Sequence, residues 1–211
     1  MPRTNKKRIA EKLLEAAAVK LSADKPFTWA SGWKSPIYCD NRRLLSFPPV
    51  RDLIKKELCH KIAKQHPDTE AIAGVATAGI PWGALVADSL KLPFMYVRAK
   101  PKTHGMGNQI EGVFSAGERV VMVEDLISTG MSSLEAVSAL QTNNVEVIAV
   151  ISIFNYGFQA AIDAFANAGV KFESLTDYDA LIKLAIEKKM IRAEEKTTLL
   201  EWRTKPDEWG K

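Results

Sequence analysis

The sequence has little cysteine, little net charge and no long apolar run. Two of its 211 residues are cysteines, Cys39 and Cys59, which are too few for a disulfide framework and indicate reduced thiols in a cytoplasmic protein. No apolar run approaches the roughly 20 residues that a membrane-spanning helix needs. The basic segment Met1–Lys12 also lacks the apolar centre of a secretory signal. We therefore expect neither a disulfide scaffold nor a membrane protein.

The small net charge also argues against a nucleic-acid-binding protein. The chain has 29 lysines and arginines against 25 aspartates and glutamates, a formal balance of +4. These charges are interspersed and do not form the basic stripe that such binding needs. A hydrophobic fraction of 46% with 26% charged residues is typical of a folded globular chain. The position of the charges is therefore more informative than their sum.

Strand-length apolar runs alternate with helical patterns from residue 71 onward. Because each run is almost unbroken, we expect an α/β fold with a central parallel sheet and helices on both faces. The predicted strands are Ala71–Ala76, Pro93–Arg98, Arg119–Ile127, Val145–Phe154 and Val170–Ser174. The predicted helices in this region begin at Gly79, Met131, Phe158, Tyr178 and residue 193.

The N-terminal part of the chain has a less regular pattern. Apolar spacing predicts a helix over residues 5–21, and aromatic and β-branched residues predict a hairpin or edge strands in Phe27–Arg43. Prolines after Ser46 predict the start of a helix that continues to Gln65. We expect one structural domain, in which an N-terminal helix and covering segment (1–45) precede an α/β core with C-terminal helices (46–211).

The segment Val120–Ser132 is the first with the chemistry of a binding site. An apolar run leads to adjacent carboxylates, Glu124 and Asp125, and a turn of serine, threonine and glycine then opens a helix. Ligands of open α/β sheets bind beyond the carboxyl ends of the strands. Small residues at a helix start let backbone N–H groups bind a phosphate, whereas carboxylates must face hydroxyl donors or a hard cation such as Mg²⁺. A ribose 5-phosphate meets both demands.

A second group of charges lies around the long polar segment Ala99–Glu118. Arg98, Lys100, Lys102 and His104 occupy every second position, so an extended chain would place them on one side. Such a loop suits a polyanion that must be enclosed and released. A solvated basic loop has the same composition, so the spacing leaves both interpretations open.

Two further segments are compatible with binding or with packing. Gly74–Pro81 offers small residues at a strand end, which either expose backbone donors to an anion or make a tight turn. Trp29 and Trp33 either cover a bound base or pack in the core.

Val120–Ser132 closely resembles the phosphoribosyl diphosphate (PRPP) signature of the type I phosphoribosyltransferases. In that family the two acids bind the ribose 2- and 3-hydroxyls, and the turn after them holds the 5-phosphate. The resemblance implies that PRPP is bound by Glu124, Asp125, Leu126, Ile127, Ser128, Thr129, Gly130, Met131 and Ser132.

Three more segments resemble the orotate-using branch of this family. They are Phe27–Asp40 (here called the hood segment), the Ala78–Pro81 turn and the basic loop, in family order. The resemblance implies transfer of 5-phosphoribosyl from PRPP to orotate, giving orotidine 5′-monophosphate and diphosphate in pyrimidine biosynthesis. It also implies a homodimer with shared active sites, and Mg²⁺ held mainly by PRPP, with Asp125 as the candidate protein ligand.

The same resemblance assigns roles to individual residues. The loop cations Arg98, Lys100, Lys102 and His104 would bind PRPP. The implied catalytic residues are Lys102, His104, Arg98 and Asp125, and the implied orotate contacts are Ser128, Tyr38 and Asn155.

The chain departs from the branch at positions that often carry a cation. These positions are Ala30, Ala78, Ala99 and either Asn155 or Tyr156, and either Lys34 or Arg42 could supply the missing charge. Two alternatives stay open: a phosphoribosyltransferase for another nucleobase, and a non-catalytic regulator that binds PRPP or a nucleotide.

Replacing Lys102 tests the basic loop. We expect Lys102→Ala to lower turnover with PRPP by about 10²–10³-fold, because a positioned cation that stabilises the leaving diphosphate contributes about that much. Thermal unfolding should be unchanged. Steady-state kinetics and a melting curve measure both, and near-normal turnover would contradict the assignment.

Overall fold

The computed structural model describes residues 5–29, 31–99, 109–192 and 195–209. The helices are α1 (Asn5–Glu15), α2 (Pro48–Gln65), α3 (Gly79–Leu90), α4 (Met131–Thr142), α5 (Gln159–Asn167), α6 (Tyr178–Glu187) and α7 (Glu195–Thr204), with a 3-10 helix at Asn41–Ser46. The strands are β1 (Val19–Leu21), β2 (Phe27–Thr28), β3 (Lys34–Ser35), β4 (Ile37–Cys39), β5 (Ala71–Val75), β6 (Phe94–Val97), β7 (Ile110–Glu111), β8 (Arg119–Ile127), β9 (Glu146–Asn155) and β10 (Phe172–Asp177). Within these ranges, no helix is both long and apolar enough to cross a membrane.

A six-stranded sheet in the order β10-β9-β8-β5-β6-β7 forms the centre of the molecule. All neighbouring strands are parallel except the β6–β7 pair at one edge. The predicted strands all occur in this sheet, and the expected α/β fold is confirmed. Because β5, β8 and β9 run in the same direction, their carboxyl ends open on one edge of the sheet.

The side chains of each strand point alternately to the two faces of this sheet. Because both faces are apolar, helices cover both and form two cores. Along β8, Val121 and Val123 pack in the core that includes Trp82 of α3. Val120 and Met122 pack in the other core, which includes Phe165 of α5. This alternation explains why an unbroken apolar run is needed in a strand that is buried on both faces.

The predicted helix over residues 5–21 is too long. Helix α1 ends at Glu15, Ala17 has a φ of 50°, and β1 then pairs antiparallel with β4. The apolar spacing continues past Glu15 and so predicts a longer helix. In the structure, however, Val19 pairs with Cys39 and anchors the hood segment. A contact between residues so far apart in sequence cannot be read from local spacing.

Two details of the sheet also differ from the prediction. The last strand is β10, which begins and ends later than the predicted Val170–Ser174. The short strand β7 was not predicted, because two residues carry no periodicity and its partner β6 lies before the basic loop.

The hood segment forms small antiparallel pairs outside the central sheet. Strands β2 and β3 form a hairpin, as predicted, with Thr28 opposite Lys34. Strand β4 leads into the 3-10 helix, whose first residue, Asn41, is completely buried. The hood thus reaches the core next to the end of β8. The division into residues 1–45 and 46–211 stays a prediction.

The start of α3 lies unusually close to β8. A Cβ atom added to Gly79 would lie 2.4 Å from the main-chain oxygen of Val123, a distance that real Cβ atoms do not adopt. The glycine therefore has a packing role that places the turn after β5 beside the acidic strand.

We expect Gly79→Ala to lower the free energy of unfolding by about 1–3 kcal/mol, since a backbone oxygen cannot move aside as a flexible side chain can. Ala84→Ser, at an exposed position of the same helix, adds one atom without this clash and should leave stability unchanged. Denaturant unfolding of both variants measures the difference, and equal stabilities would contradict the packing role.

Candidate active site

The acidic pair lies at the carboxyl end of β8, where hydrogen bonds fix Glu124. Its Oε1 accepts a 2.9 Å bond from the backbone N–H of Asp125, and its Oε2 accepts a 3.2 Å bond from the Ser133 hydroxyl. Glu124 is 5% exposed. Ser133 belongs to the first turn of α4, so strand and helix together hold the carboxylate. The sequence indicated the Ser133 hydroxyl only as a further donor to a bound anion, whereas in the structure this hydroxyl donates to Glu124.

Burial makes both acids hard to ionise in the free protein. It raises the pKa of Glu124 well above its usual value, and the neighbouring Asp125 raises it further. Burial also raises the pKa of Asp125, while Glu124 and the Arg42 guanidinium oppose that effect. A ligand that brings hydroxyl donors or a cation would favour the ionised forms.

The turn after β8 prepares the N-terminus of α4 for an anion. Gly130 adopts a left-handed φ of 82° at the cap position, and no side chain caps the first turn. Backbone N–H groups at this helix end are therefore available to a phosphate. Ser128 and Thr129 lie in the same turn, half-buried.

The β5–α3 turn approaches the acidic strand at the same sheet edge. Its Ala76–Thr77 peptide bond is cis, and α3 begins at Gly79 without a side-chain cap. The close contact of Gly79 with Val123 shows that the packing interpretation of this turn is correct.

A cavity of about 320 Å³ lies between the hood segment and the ends of β8 and β9. Of the predicted orotate contacts, Tyr38 and Ser128 line this cavity. Asn155 is not a lining residue, but the next residue, Tyr156, is. The sequence marked Tyr156 only as the alternative to Asn155 for the position of a missing cation, whereas the structure shows that it lines the cavity. The full lining is Thr28, Trp29, Tyr38, Cys39, Leu126, Ser128 and Tyr156.

An amide joins the cavity wall to the acidic strand. The Nδ2 of Asn41 donates a 2.7 Å bond to the main-chain oxygen of Asp125, and its Oδ1 accepts from the Cys39 thiol at 3.4 Å. Burial, aided by the charges of Asp125 and Asp40, raises the pKa of Cys39 well above its usual value, so the thiol keeps its proton. Nothing in the sequence marked Asn41, because its partner lies 84 residues away.

Aromatic rings support the wall of the cavity. The ring of Trp29 lies 5.0 Å from that of Tyr156 and 5.7 Å from that of Trp202, measured between centroids. Its Nε1 donates to the Ile37 carbonyl at 3.2 Å. Trp29 therefore both packs in the core and lines the cavity, so the two interpretations of this residue are not exclusive.

The base of the predicted basic loop is well defined. The backbone N–H of Arg98 donates to the Gln109 carbonyl at 2.9 Å, and the Gln109 amide returns a 3.0 Å bond to the Arg98 carbonyl. The Arg98 guanidinium lies 3.5 Å from a carboxylate oxygen of Glu111. Lys100, Lys102 and His104 lie outside the described residues, and their roles stay predictions.

Comparison with known proteins identifies the family. Residues 45–177 match the phosphoribosyl transferase domain family. The chain is 54% identical over 205 residues to the orotate phosphoribosyltransferase of Cytophaga hutchinsonii, covering 97% of this chain and 98% of that protein. This chain belongs to the orotate phosphoribosyltransferase family. The Porphyromonas gingivalis enzyme of the same name is 52% identical over 204 residues, covering 97% of both chains.

A solved member of the orotate phosphoribosyltransferase family has the same fold. The crystal structure from Aeropyrum pernix aligns with a TM-score of 0.71 and 29% identity, covering 86% of this chain and 99% of that chain. The resemblance inferred from the hood segment, the turn, the basic loop and the acidic signature is therefore confirmed.

The acidic pair fits the kind of Mg²⁺ site that this family implies. Among the described residues, no group of three or more histidine, cysteine, aspartate or glutamate side chains could form a metal cage. Mg²⁺ is usually held by one or two carboxylates together with substrate phosphates. Asp125, with Glu124 behind it, could provide such a carboxylate.

Neutralising Glu124 tests the cost of its burial. Because its folded-state pKa is raised, stability falls as the pH rises from the usual glutamate range through that pKa. We expect Glu124→Gln to be more stable than the parent protein at pH 8, on the order of 1 kcal/mol, and the gain to shrink toward pH 5.

Melting curves at both pH values measure this gain. Glu135→Gln, which neutralises an exposed carboxylate on α4, should show no such gain. A parallel response of the two variants would contradict the role of burial.

Proposed function

We propose that this chain transfers the 5-phosphoribosyl group of PRPP to orotate, forming orotidine 5′-monophosphate and diphosphate in pyrimidine biosynthesis. One observation carries the proposal. The stretch from Glu124 to Met131 provides one buried and one half-buried acid, two residues of the cavity wall and the uncapped start of α4. A ribose phosphate bound along this stretch would have its 5-phosphate at α4 and its anomeric carbon toward the cavity.

The acids and the helix N-terminus would divide the binding of PRPP between them. Glu124 and Asp125 would accept hydrogen bonds from the ribose 2- and 3-hydroxyls, which compensates the burial of their charge. Backbone N–H groups from Ser128 to Ser132 would bind the 5-phosphate. Because Glu124 is held by Ser133 and the Asp125 N–H, its carboxylate is already oriented before PRPP arrives.

The cavity would hold the pyrimidine ring next to the anomeric carbon. In the transfer, a bond forms from a ring nitrogen of orotate to this carbon as the bond to the diphosphate oxygen breaks. The proton of this nitrogen passes to an oxygen of the diphosphate, which leaves with the electrons of the broken bond. Displacement at an anomeric carbon passes through an oxocarbenium-like state, which nearby carboxylates such as Asp125 would stabilise.

The basic loop would stabilise the leaving diphosphate. Arg98 at the described base, together with Lys102, His104 and Lys100, would contribute the positive charge. Mg²⁺ supplies further charge neutralisation of the diphosphate when it is bound. A closed loop would also exclude the water that otherwise hydrolyses PRPP. Mg²⁺ as cofactor, the homodimer with shared sites and the cytoplasmic location remain inferences from the family.

A base panel tests the function directly. The protein is mixed with PRPP, Mg²⁺ and one base at a time, and loss of orotate absorbance is compared with turnover of adenine, hypoxanthine, xanthine and uracil. We expect turnover with orotate. Turnover with another base alone would overturn the substrate assignment and leave the family unchanged.

Replacing Asp125 tests the ribose contact. We expect Asp125→Asn to raise the KM for PRPP by about 10-fold or more, because a charge-assisted hydrogen bond to a ribose hydroxyl is lost. The main-chain oxygen that accepts from Asn41 remains, so the fold should survive.

Initial rates at varied PRPP concentration measure the effect. Asp88→Asn, at an exposed site on α3, should leave the KM unchanged. A normal KM for PRPP in Asp125→Asn would count against the ribose role.

A further inference from the structure

The cavity lacks positive charge for the ligand that it is proposed to bind. Orotate is an anion, because it carries a carboxylate beside its reactive nitrogen. The described lining residues are uncharged, and the carboxylates of Asp125 and Asp40 lie near enough to Cys39 to raise the pKa of its thiol. Moving a carboxylate from water into such a site is unfavourable unless a cation compensates it. A nearby side chain must therefore supply this cation.

Among the described residues near this cavity are two cations, Lys34 in the hood segment and Arg42 just after it, and of these two only Arg42 has a carboxylate partner. The Arg42 Nε lies 2.6 Å from Asp40 Oδ1, and this pair is close to neutral as a unit. The Lys34 Nζ donates to the Thr28 hydroxyl at 2.8 Å. Within the described ranges, Lys34 forms no ion pair. Thr28 is a lining residue, so the Lys34 ammonium lies next to a residue of the cavity wall.

The backbone of Lys34 is held firmly while its ammonium remains exposed. Lys34 pairs with Thr28 in the β2–β3 hairpin, and its carbonyl accepts a 3.1 Å bond from Nε1 of Trp202, a completely buried residue. An exposed ammonium on a fixed backbone, bonded here to a neutral hydroxyl, suits a ligand contact. The bond to a neutral hydroxyl is readily exchanged for a stronger charge-assisted bond to a carboxylate.

We propose that Lys34 is the specificity-determining cation of this site and that its ammonium binds the carboxylate of orotate. The inference rests on the proposed function, since it assigns a residue to the recognition of the proposed base. It also explains how the site accommodates an anion although Asn155 and Ala78 are uncharged.

The test compares a charged ligand with a neutral one of the same shape. The KM for orotate and the inhibition constant of its 6-carboxamide analogue are measured for the parent protein and for Lys34→Ala, Lys34→Arg, Arg42→Ala and Lys171→Ala. Lys171 is an exposed lysine before the amino end of β10, so its variant controls for loss of charge.

We expect Lys34→Ala to raise the KM for orotate by about 10–100-fold, the loss typical of one charge-assisted contact. The inhibition constant of the carboxamide and the KM for PRPP should change less than about 2-fold, and Lys34→Arg should recover part of the orotate affinity. A structural role would instead weaken the binding of both ligands equally.

An unchanged KM for orotate in Lys34→Ala, or an equal loss for both ligands, would overturn the inference while the parent protein still turns over orotate. A selective loss in Arg42→Ala alone would reassign the contact to that residue. Absence of orotate turnover in the parent protein would instead remove the proposed function itself.

Discussion

The parallel pairing of β8 with both β5 and β9 is the constraint on which the site depends. This pairing brings three strand ends to one edge of the sheet, and the helices on either side bury β8 on both faces. Glu124 and Asp125 follow directly in that strand, so their position is set by main-chain hydrogen bonds of the sheet. The close approach of Gly79 to Val123 adds the β5–α3 turn to the same edge. A catalytic constellation built on a rigid element in this way is more precise than one on a free loop.

The acidic strand combines function with a local cost in stability. Glu124 is buried and the neighbouring Asp125 is half-buried, and burial raises the pKa of both carboxylates. Hydrogen bonds from Ser133 and from the Asp125 N–H hold Glu124 without neutralising it. A ribose ring would provide the missing donors, so the site is more favourable when occupied than when free. Destabilising groups of this kind are common where binding needs a prepared environment.

The hood segment completes the site through contacts between residues that are distant in sequence. Asn41 bonds to Asp125 across 84 positions, and Trp202 bonds to Lys34 across 168. The first contact joins the cavity wall to the ribose acids, and the second fixes the hairpin at the cavity rim. In the proposed function, specificity for the base would depend on the N-terminal and C-terminal segments together, whereas PRPP binding would depend on the sheet.

The sequence by itself determined the α/β class, the acidic strand end and the turn that follows, because unbroken apolar runs and a contiguous signature are local patterns. It also marked Tyr38, Ser128 and the basic loop through the resemblance. Only the tertiary structure decided where α1 ends, since β1 depends on pairing with β4. It alone revealed Asn41, the place of Tyr156 in the cavity wall and the support of Lys34 by Trp202. The reason is physical. Apolar spacing shows which face of an element is buried, but it does not show which distant residues will meet there.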